Sequence, residues 1–236
     1  MIKVKSLRRS VNSKILFNEI NLELPSNQIT GLLGANGAGK TSLFRAIAGL
    51  SNIDSGELTF FDKNLRNMSL EQRAAAGLNY VPQENSLFDD LTLLDNLMAV
   101  IELKFKSVTD LKKKEANSLL KKMNLFEKKN IKSKNLSGGE KRKTEILRAI
   151  LLESKFILLD EPFAGVDPIS VEEINKILKD LKKKIGIFIS DHNFRDVINV
   201  CDLIILLNQG EVLLQGTPNE VKNDPIAKKF YFGELN

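Results

Sequence analysis

A glycine-rich octapeptide constrains the fold of this chain more than any other stretch. It reads Gly34-Ala35-Asn36-Gly37-Ala38-Gly39-Lys40-Thr41, it follows the apolar run Ile29–Leu33, and it leads into an apolar-periodic stretch at residues 42–50. This order predicts a strand, a tight turn and the start of a helix. Glycines let backbone N–H groups come close to phosphates, and the helix N-terminus adds positive charge at the same point.

The residue types of this loop predict a phosphate site, whereas the alternative is a glycine-rich turn with a solvated lysine. Lys40 would place a point charge on the β- and γ-phosphates, and Thr41 would offer a hydroxyl to Mg²⁺. The residues assigned to this site are Gly34, Ala35, Asn36, Gly37, Ala38, Gly39, Lys40, Thr41 and Ser42.

The length of the chain favours one α/β domain with an inserted subdomain, because 236 residues are many for one domain and few for two. No apolar run approaches the ~20 residues that span a bilayer, and residues 1–10 carry no secretory signal. We therefore expect a cytoplasmic protein. The single cysteine, Cys201, excludes an intrachain disulfide and fits a reducing compartment, with a small buried apolar side chain as its simplest role.

Positive charge is concentrated in residues 104–143, which hold 14 basic and 4 acidic residues. Such a stretch fits a nucleic acid or an anionic membrane surface. The lysines lack interleaved aromatic residues and fall on amphipathic helices, so a solvated helix face is the default interpretation. Proximity to anionic lipid headgroups is the functional alternative.

The first third of the chain predicts a strand-rich lobe around the loop. Residues 2–7, 15–24 and 56–61 are apolar-rich, and polar residues at 8–12 separate the first two. Ser69 and Gln72 fit a capping box for a short helix that ends at Gly77. Strand Leu78–Val81 follows, and Gln83 comes just after it, where its side chain can reach a bound nucleotide.

Residues 89–152 interrupt the alternation of strands and helices, which predicts an inserted helical subdomain between core segments 1–88 and 153–236. Apolar residues at helical spacing occupy 91–103 and 111–125. Ser137, Gly138 and Gly139 lie within Leu-Ser-Gly-Gly-Glu, ahead of a helix predicted at 144–152. They can offer free N–H groups to an anion, although Ser-Gly-Gly is also common in linkers.

Two adjacent carboxylates, Asp160 and Glu161, end the apolar run at 156–159. A continuous apolar run is typical of a strand buried on both faces, and carboxylates at its end need a cation or a substrate. Successive strand residues point to opposite sides. Asp160 therefore suits contact with the surroundings of Mg²⁺ and Glu161 suits polarising a water, unless the pair is a simple helix N-cap.

The only histidine, His192, follows the apolar run at 185–189. A lone histidine is more often a packing or surface residue, but ligands of doubly wound sheets gather past the carboxyl ends of central strands, where His192 falls. Strands at 203–207 and 211–215 come next. The tail from 217 is predicted to be helical, with Pro225 breaking the helix.

The ordered set of phosphate loop, Gln83, Leu-Ser-Gly-Gly, Asp160-Glu161 and His192 resembles the ATP-binding cassette ATPases over the whole chain. The resemblance implies a P-loop NTPase (RecA-like) core with an antiparallel β lobe and an inserted α-helical subdomain. It implies ATP and Mg²⁺ as cofactors and a head-to-tail homodimer that closes on two ATP molecules. In that dimer Ser137 and Gly139 bind the γ-phosphate across the interface, and residues 164–167 form the interfacial D-loop.

The same resemblance assigns catalysis to Glu161, His192 and Gln83, with His192 sensing the γ-phosphate, and metal binding to Thr41, Gln83 and Asp160. Within the family, the chain is similar to the ATPases of lipopolysaccharide exporters. That similarity rests on five runs: Tyr80-Val81-Pro82-Gln83-Glu84, Asp95-Asn96-Leu97-Met98-Ala99-Val100, residues 159–171, Asp191-His192-Asn193 and Tyr231-Phe232-Gly233-Glu234. Branched-chain amino acid importer ATPases are the alternative. Glu140 stands where many cassettes have glutamine, as it does in this subfamily, and Val11 stands where an aromatic residue usually stacks on adenine.

Three functions remain open from the sequence. The chain is a transport ATPase that docks on permease subunits of the inner membrane from the cytoplasmic face, a soluble cassette that acts on DNA or ribosomes, or a binding module without turnover. Glu161 and His192 argue against the third function. Against nucleic acid, the chain has neither a long coiled-coil insertion nor a second cassette. Phe88, Leu91 and Leu93, between acidic residues, predict the groove where a permease helix docks, with burial in the core as the alternative.

Overall fold

The computed structural model describes residues 1–229, so the run Tyr231-Phe232-Gly233-Glu234 lies outside the described residues. The strands are β1 (Ile2–Val11), β2 (Lys14–Leu24), β3 (Ile29–Leu33), β4 (Ser55–Phe60), β5 (Lys63–Asn64), β6 (Leu78–Val81), β7 (Phe156–Asp160), β8 (Gly186–Asp191), β9 (Leu203–Asn208) and β10 (Glu211–Gly216). The helices are α1 (Lys40–Ala48), α2 (Leu70–Ala75), α3 (Leu93–Phe105), α4 (Asp110–Lys122), α5 (Gly138–Leu151), α6 (Pro168–Leu181), α7 (Phe194–Ile198), α8 (Pro218–Asn223) and α9 (Pro225–Ala227).

The central sheet has the strand order β10-β9-β3-β8-β7-β6, in which β10 alone pairs antiparallel. Strands β3, β7 and β8 are buried at every position, as expected for parallel strands covered on both faces by helices. Their carboxyl ends lie at one edge of the sheet. That edge brings together the phosphate loop after β3, Glu161 after β7, His192 after β8 and Gln83 after β6.

A second, antiparallel sheet has the order β2-β1-β4-β5 and forms the predicted β lobe. The predicted break at residues 8–12 is wrong, because β1 continues through Arg8, Arg9 and Ser10 to Val11. Ser10 donates from both its backbone N–H and its Oγ to Asp54 Oδ2 at 2.7 Å, and shifts in register let the strand follow its partners. Polar side chains can thus lie in a strand that is paired on both sides when a nearby side chain such as Asp54 accepts their hydrogen bonds.

Helices α3, α4 and α5 occupy the interruption at residues 89–152, and their apolar faces join one core with the central sheet. The position of α5 corrects the sequence prediction, because the helix begins at Gly138 and not near residue 144. Ser137 Oγ accepts from the Glu140 N–H at 3.3 Å, and the Glu140 carboxylate accepts from the Ser137 N–H at 2.9 Å. Glutamate at position 140 is thus compatible with this helix start, since the capping box accepts glutamate or glutamine.

The predicted break of the helical tail at Pro225 is confirmed. Helix α8 ends at Asn223, Asp224 is extended, and Pro225 begins α9 at a first-turn position that needs no N–H donor. Cys201 is free and buried, as predicted, and burial raises the pKa of its thiol. Within residues 1–229 no helix combines the length and apolar character that a bilayer crossing requires.

Candidate active site

A cleft of about 990 Å³ opens where the carboxyl edge of the central sheet meets the β lobe. It runs from the phosphate loop to the turn between β1 and β2. The lining residues are Lys14, Ile15, Leu16, Ala35, Asn36, Gly37, Ala38, Gly39, Lys40, Thr41, Ser42, Gln83, Glu161, His192, Asn208 and Gln209.

The phosphate loop is shaped by glycines with positive φ. Gly37 has φ +83° and Gly39 has φ +106°, and a Cβ on Gly39 would lie 2.7 Å from the backbone oxygen of Leu16. Only glycine fits this close approach without strain. The loop therefore holds the N-terminal turn of α1 open toward the cleft, with its free N–H groups available to an anion.

Lys40 is 5% exposed, and its Nζ donates to the carbonyl oxygens of Gly34 at 2.7 Å and Ala35 at 3.2 Å. Burial lowers its pKa, while the nearby carboxylates of Glu161, Asp191 and Asp160 oppose that shift. Two carbonyls are weak partners for an ammonium group in a buried setting. The geometry therefore keeps Lys40 next to the loop, as a cation suited to exchange these contacts for phosphate oxygens.

Asp160 ends β7 and is fully buried beneath the loop. Its Oδ1 lies 3.5 Å from Thr41 Oγ1 and accepts from Ser190 Oγ, and its Oδ2 accepts from Tyr80 OH at 3.0 Å. Burial and then the neighbouring Asp160 raise the pKa of the Tyr80 phenol, which keeps it a donor. These hydroxyls hold the carboxylate in one orientation toward Thr41, so the predicted grouping of Thr41 with Asp160 is present.

Glu161 follows β7 with the left-handed φ of +45° and is 9% exposed. Its Oε2 accepts from Gln83 Nε2 at 2.8 Å and lies 3.5 Å from His192 Nδ1. A left-handed backbone is uncommon for a residue with a long side chain, and such conformations cluster at functional sites. The structure thus brings the three predicted catalytic side chains together beside the phosphate loop.

Asp191, the last residue of β8, positions His192 and was missed as a functional residue by sequence reasoning. Its Oδ1 accepts from the backbone N–H groups of His192 at 2.7 Å and Asn193 at 2.9 Å. The side chain is 1% exposed, and this burial raises its pKa. An aspartate that precedes a turn commonly caps it in this way, and that local signal was present in the sequence.

Arg142 on α5 was also not predicted from the sequence to be part of the site. Its guanidinium donates to the carbonyl oxygens of Pro82 at 2.8 Å, Glu161 at 3.1 Å and Asp160 at 3.2 Å, and it pairs with Glu145 at 3.0 Å. Arginine and glutamate three residues apart on the apolar face of a helix are an unusual pattern, because charges are rarely buried without a partner. This pair of charges was the sequence signal that could have identified Arg142, whose bonds fix the segment after β6 and the segment after β7.

Ser137, Gly138 and Gly139 are not among the residues that line the cleft. They lie beside the start of α6, where a Cβ on Gly139 would come within 2.4 Å of Ser170 Oγ and 3.0 Å of an Asp167 carboxylate oxygen. The first turn of α5 thus lies outside the cleft that the phosphate loop of the same chain lines. One copy of the chain therefore does not join its own two predicted anion sites.

The cleft can bind a polyphosphate and can activate a water molecule that attacks its terminal phosphorus. The loop N–H groups and Lys40 provide positive charge, Thr41 and Asp160 provide oxygen atoms of the kind that Mg²⁺ prefers, and Glu161 provides a carboxylate near the phosphate end. Protein sites usually hold Mg²⁺ through one or two such oxygens together with phosphate oxygens. The residues present fit that pattern.

Comparison with known proteins confirms the resemblance. The ABC transporter family model matches residues 17–164. The lipopolysaccharide export system ATP-binding proteins LptB of Haemophilus influenzae and Escherichia coli strain K12 are 40% and 38% identical to this chain; each alignment covers 99% of this chain, with 98% and 97% of those proteins.

Solved structures show the same fold at lower identity. A cassette of an ABC transporter in its ADP conformation gives a TM-score of 0.88 at 24% identity, with 99% of both chains covered. A dimeric cassette in a post-hydrolysis state bound to ADP and Pi gives 0.82 at 22% identity, with 92% of this chain and 99% of that chain covered. Because the family model spans more than half of the sequence and the relatives match it from end to end, this chain belongs to the ABC transporter family.

Proposed function

We propose that this chain is the ATP-hydrolysing subunit of an ABC transporter that extracts lipopolysaccharide from the inner membrane for export. The observation that carries the ATPase assignment is the contact of Glu161 with Gln83 and His192 beside the phosphate loop. The cargo is supported by the names of relatives at 37–40% identity over almost the whole chain. The same likeness favours lipopolysaccharide over branched-chain amino acids.

Each site residue has a role in the proposed hydrolysis. Glu161 accepts a proton from the attacking water and orients it, while the Gln83 amide holds the Glu161 carboxylate. Lys40 and the loop N–H groups stabilise negative charge on the phosphates, and His192 contacts the γ-phosphate. Thr41, Asp160 and Gln83 would hold Mg²⁺, which would neutralise negative charge on the phosphates when it is bound.

A head-to-tail homodimer completes this site in our proposal. The position of the Ser137-to-Gly139 turn outside the cleft of its own chain supports it, because the N-terminus of α5 is an element that can bind an anion. The dimeric cassette of the same fold supports it as well. In the dimer, the partner subunit's Ser137 and the partner subunit's Gly139 contact the γ-phosphate.

The permease docks, in this proposal, on the cytoplasmic side at an apolar groove formed by Phe88 and Leu91, which are 50% and 38% exposed. Leu93 was wrongly predicted to belong to the groove, since it begins α3 and is fully buried. The Arg148 guanidinium lies 5.5 Å from the centre of the Phe88 ring and donates to the Ser86 carbonyl at 2.7 Å. The ring thus lies near a guanidinium and keeps about half of its surface exposed, as suits an aromatic anchor.

The basic stretch at 104–143 gives little support to nucleic acid as the partner. Several of its lysines pair with acidic residues of the same chain: Lys112 with Glu153 and Glu115, Lys128 with Glu140, Lys132 and Lys134 with Asp90, and Lys143 with Glu173. Paired charges contribute less to an electrostatic footprint than free ones. These contacts favour the interpretation of a solvated helix face.

Phe88→Ala is expected to weaken binding to the permease by at least about tenfold and to abolish transport, while ATP affinity and the melting temperature stay near wild type. The reason is that the half-exposed ring contributes little to the core of the isolated subunit. Leu103→Ala is the matched control, because Leu103 is an apolar side chain that is 73% exposed and lies on the last turns of α3, away from the groove.

The measurement is a pull-down of membrane proteins from detergent extracts with each tagged variant, followed by mass spectrometry and a thermal melt. The wild-type protein and the Leu103 variant should retain permease subunits and the Phe88 variant should lose them. Normal assembly with Phe88→Ala, or a collapsed melt, would defeat the docking proposal. Co-purification of ribosomes or DNA in place of membrane subunits would defeat the transport assignment itself.

A further inference from the structure

A second cavity, of about 480 Å³, is separate from the cleft, because the two share no lining residue. It is formed by the end of α1, the segment that leads from α1 to β4, and the segment that leads from β5 into α2. A volume of this size is typical of sites that bind small molecules. The residues that line it are Gly49, Ser51, Asn52, Ile53, Arg66, Asn67, Met68, Ser69 and Arg73.

This lining contains two arginines and no acidic residue. One of the arginines, Arg73, is only 4% exposed. Its guanidinium donates to the backbone carbonyl oxygens of Ala46 at 2.8 Å, Ile47 at 2.7 Å, Leu65 at 2.6 Å and Met68 at 3.0 Å. Within residues 1–229 no carboxylate pairs with it, and burial lowers the pKa of Arg73 to about 10.

The carbonyl partners of Arg73 balance only part of its charge. Two of them belong to the last turn of α1, and the C-terminus of a helix carries roughly half of a negative charge. About half of the positive charge therefore has no counter-charge in a buried setting. Because a buried cation is costly unless it is paired, an anion in the adjoining cavity would be stabilised there.

The second arginine, Arg66, lines the same cavity with an exposed side chain. Its Nη2 donates to the Asp54 carbonyl oxygen at 2.9 Å and its Nη1 to the Gly56 carbonyl oxygen at 3.3 Å. A guanidinium has five N–H donors, so others remain available to a ligand. The Asp54 carboxylate is engaged elsewhere, since it accepts from the backbone N–H and the Oγ of Ser10 at 2.7 Å.

Neutral donors complete the lining. The Oγ atom of Ser51 is buried and has no hydrogen-bond partner in the part of the chain that the structure describes, whereas buried hydroxyls normally have one. The side-chain amides of Asn52 and Asn67 add further N–H donors. Glu71, in the first turn of α2, does not line the cavity and accepts from Ser69 Oγ at 2.6 Å.

We propose that this cavity binds a phosphate group, carried by inorganic phosphate or by a small phosphorylated metabolite, through Arg66, Arg73 and Ser51. Guanidinium groups match phosphate oxygens in both geometry and charge, and a phosphate has enough acceptor oxygens for several donors at once. The cavity and the phosphate loop lie at opposite ends of α1. The proposed site is therefore a second anion site, distinct from the cleft.

The test follows backbone amide NMR signals of ¹⁵N-labelled protein during titration with inorganic phosphate at constant ionic strength, with ADP filling the phosphate loop. The wild-type protein should show saturable shifts at Gly49, Ser51 and Asn67. Arg66→Gln should raise the dissociation constant by about tenfold, because a charge-assisted hydrogen bond is lost. Ser51→Ala should raise it by about threefold, yet the melting temperature in phosphate-free buffer should not fall, since the removed hydroxyl is unpaired.

Arg8→Gln is the matched control, because Arg8 is an exposed arginine of β1 that does not line the cavity. This variant should bind phosphate as the wild type does. Glycerol 3-phosphate distinguishes the two sources: tighter binding than phosphate identifies a phosphorylated metabolite, and equal binding identifies the free anion. The proposal is overturned if the shifts do not saturate, if Arg66→Gln binds phosphate like the wild type, or if Arg8→Gln weakens binding equally.

Discussion

Replacing Glu161 with glutamine is expected to lower ATP turnover by about 10²–10⁴-fold while ATP binding persists. The glutamine side chain keeps nearly the same shape and can still contact Gln83 after its amide rotates, but it does not accept a proton from water. The carboxylate lies 2.8 Å from Gln83 Nε2 and 3.5 Å from His192 Nδ1, so the change falls at the centre of the catalytic group. ATP should then hold the protein as a dimer.

Steady-state phosphate release and size-exclusion chromatography with ATP and Mg²⁺ measure this result. Glu211→Gln is a suitable control, because Glu211 is an exposed carboxylate at the start of β10 that does not line the cleft. The control should hydrolyse ATP at the wild-type rate and show no ATP-dependent dimer beyond that of wild type. Hydrolysis near the wild-type rate by the Glu161 variant would exclude its role as the general base.

Lys40→Met should weaken ATP binding by about 10–100-fold, because a charge-assisted hydrogen bond to phosphate contributes about 1.5–3 kcal/mol. Methionine preserves most of the volume of a side chain that is only 5% exposed, so the fold should be retained. Removing the ammonium leaves the Gly34 and Ala35 carbonyls without this donor and takes positive charge away from the carboxylates of Glu161, Asp191 and Asp160, so some stability is lost as well. The larger effect is expected on nucleotide affinity, because the phosphates lose their charged partner.

Calorimetric ATP titration and a thermal melt distinguish these quantities. Lys63→Met, on the exposed strand β5 of the β lobe, provides a lysine of the same chain outside the cleft and should leave both quantities unchanged. An unchanged ATP affinity in the Lys40 variant would contradict the assignment of the phosphate loop. A large drop in melting temperature would show instead that Lys40 mainly stabilises the loop.

The phosphate loop was predictable from sequence because its physics is local. Glycine favours the positive φ seen at Gly37 and Gly39, and an apolar run before the loop predicts the buried strand β3. The carboxylates of Asp160 and Glu161 were predictable for the same reason, since they directly end an apolar strand. Parallel strands then bring such loop ends to one edge of the sheet without further information.

Contacts that depend on tertiary packing were not predictable in this way. The bonds of Arg142 to backbone carbonyls join α5 to segments about 20 and 60 residues away, and no spacing rule in the sequence encodes them. The continuation of β1 through Arg8 and Ser10 depends on Asp54, a distant acceptor. The polar residues at 8–10 therefore extend β1 because the folded sheet brings Asp54 next to Ser10 as a hydrogen-bond acceptor.

The position of Ile15 in the lining of the cleft also depends on tertiary packing and was not predicted from the sequence. Counting along the sequence places Val11 at the position of an adenine-stacking residue, whereas packing of β2 against the loop places Ile15 in the cleft. The division of the chain into core segments 1–88 and 153–236 and a helical subdomain at 89–152 stays a prediction.

The central claim, export of lipopolysaccharide driven by this ATPase, is tested most directly by following newly made lipopolysaccharide in cells of the source organism. The chain is depleted and replaced by wild type or by Glu161→Gln, lipopolysaccharide is pulse-labelled, and the inner and outer membranes are separated. The account predicts that label stays in the inner membrane in depleted cells and with the Glu161 variant, and reaches the outer membrane with wild type. Transfer of label at the normal rate in depleted cells would contradict it.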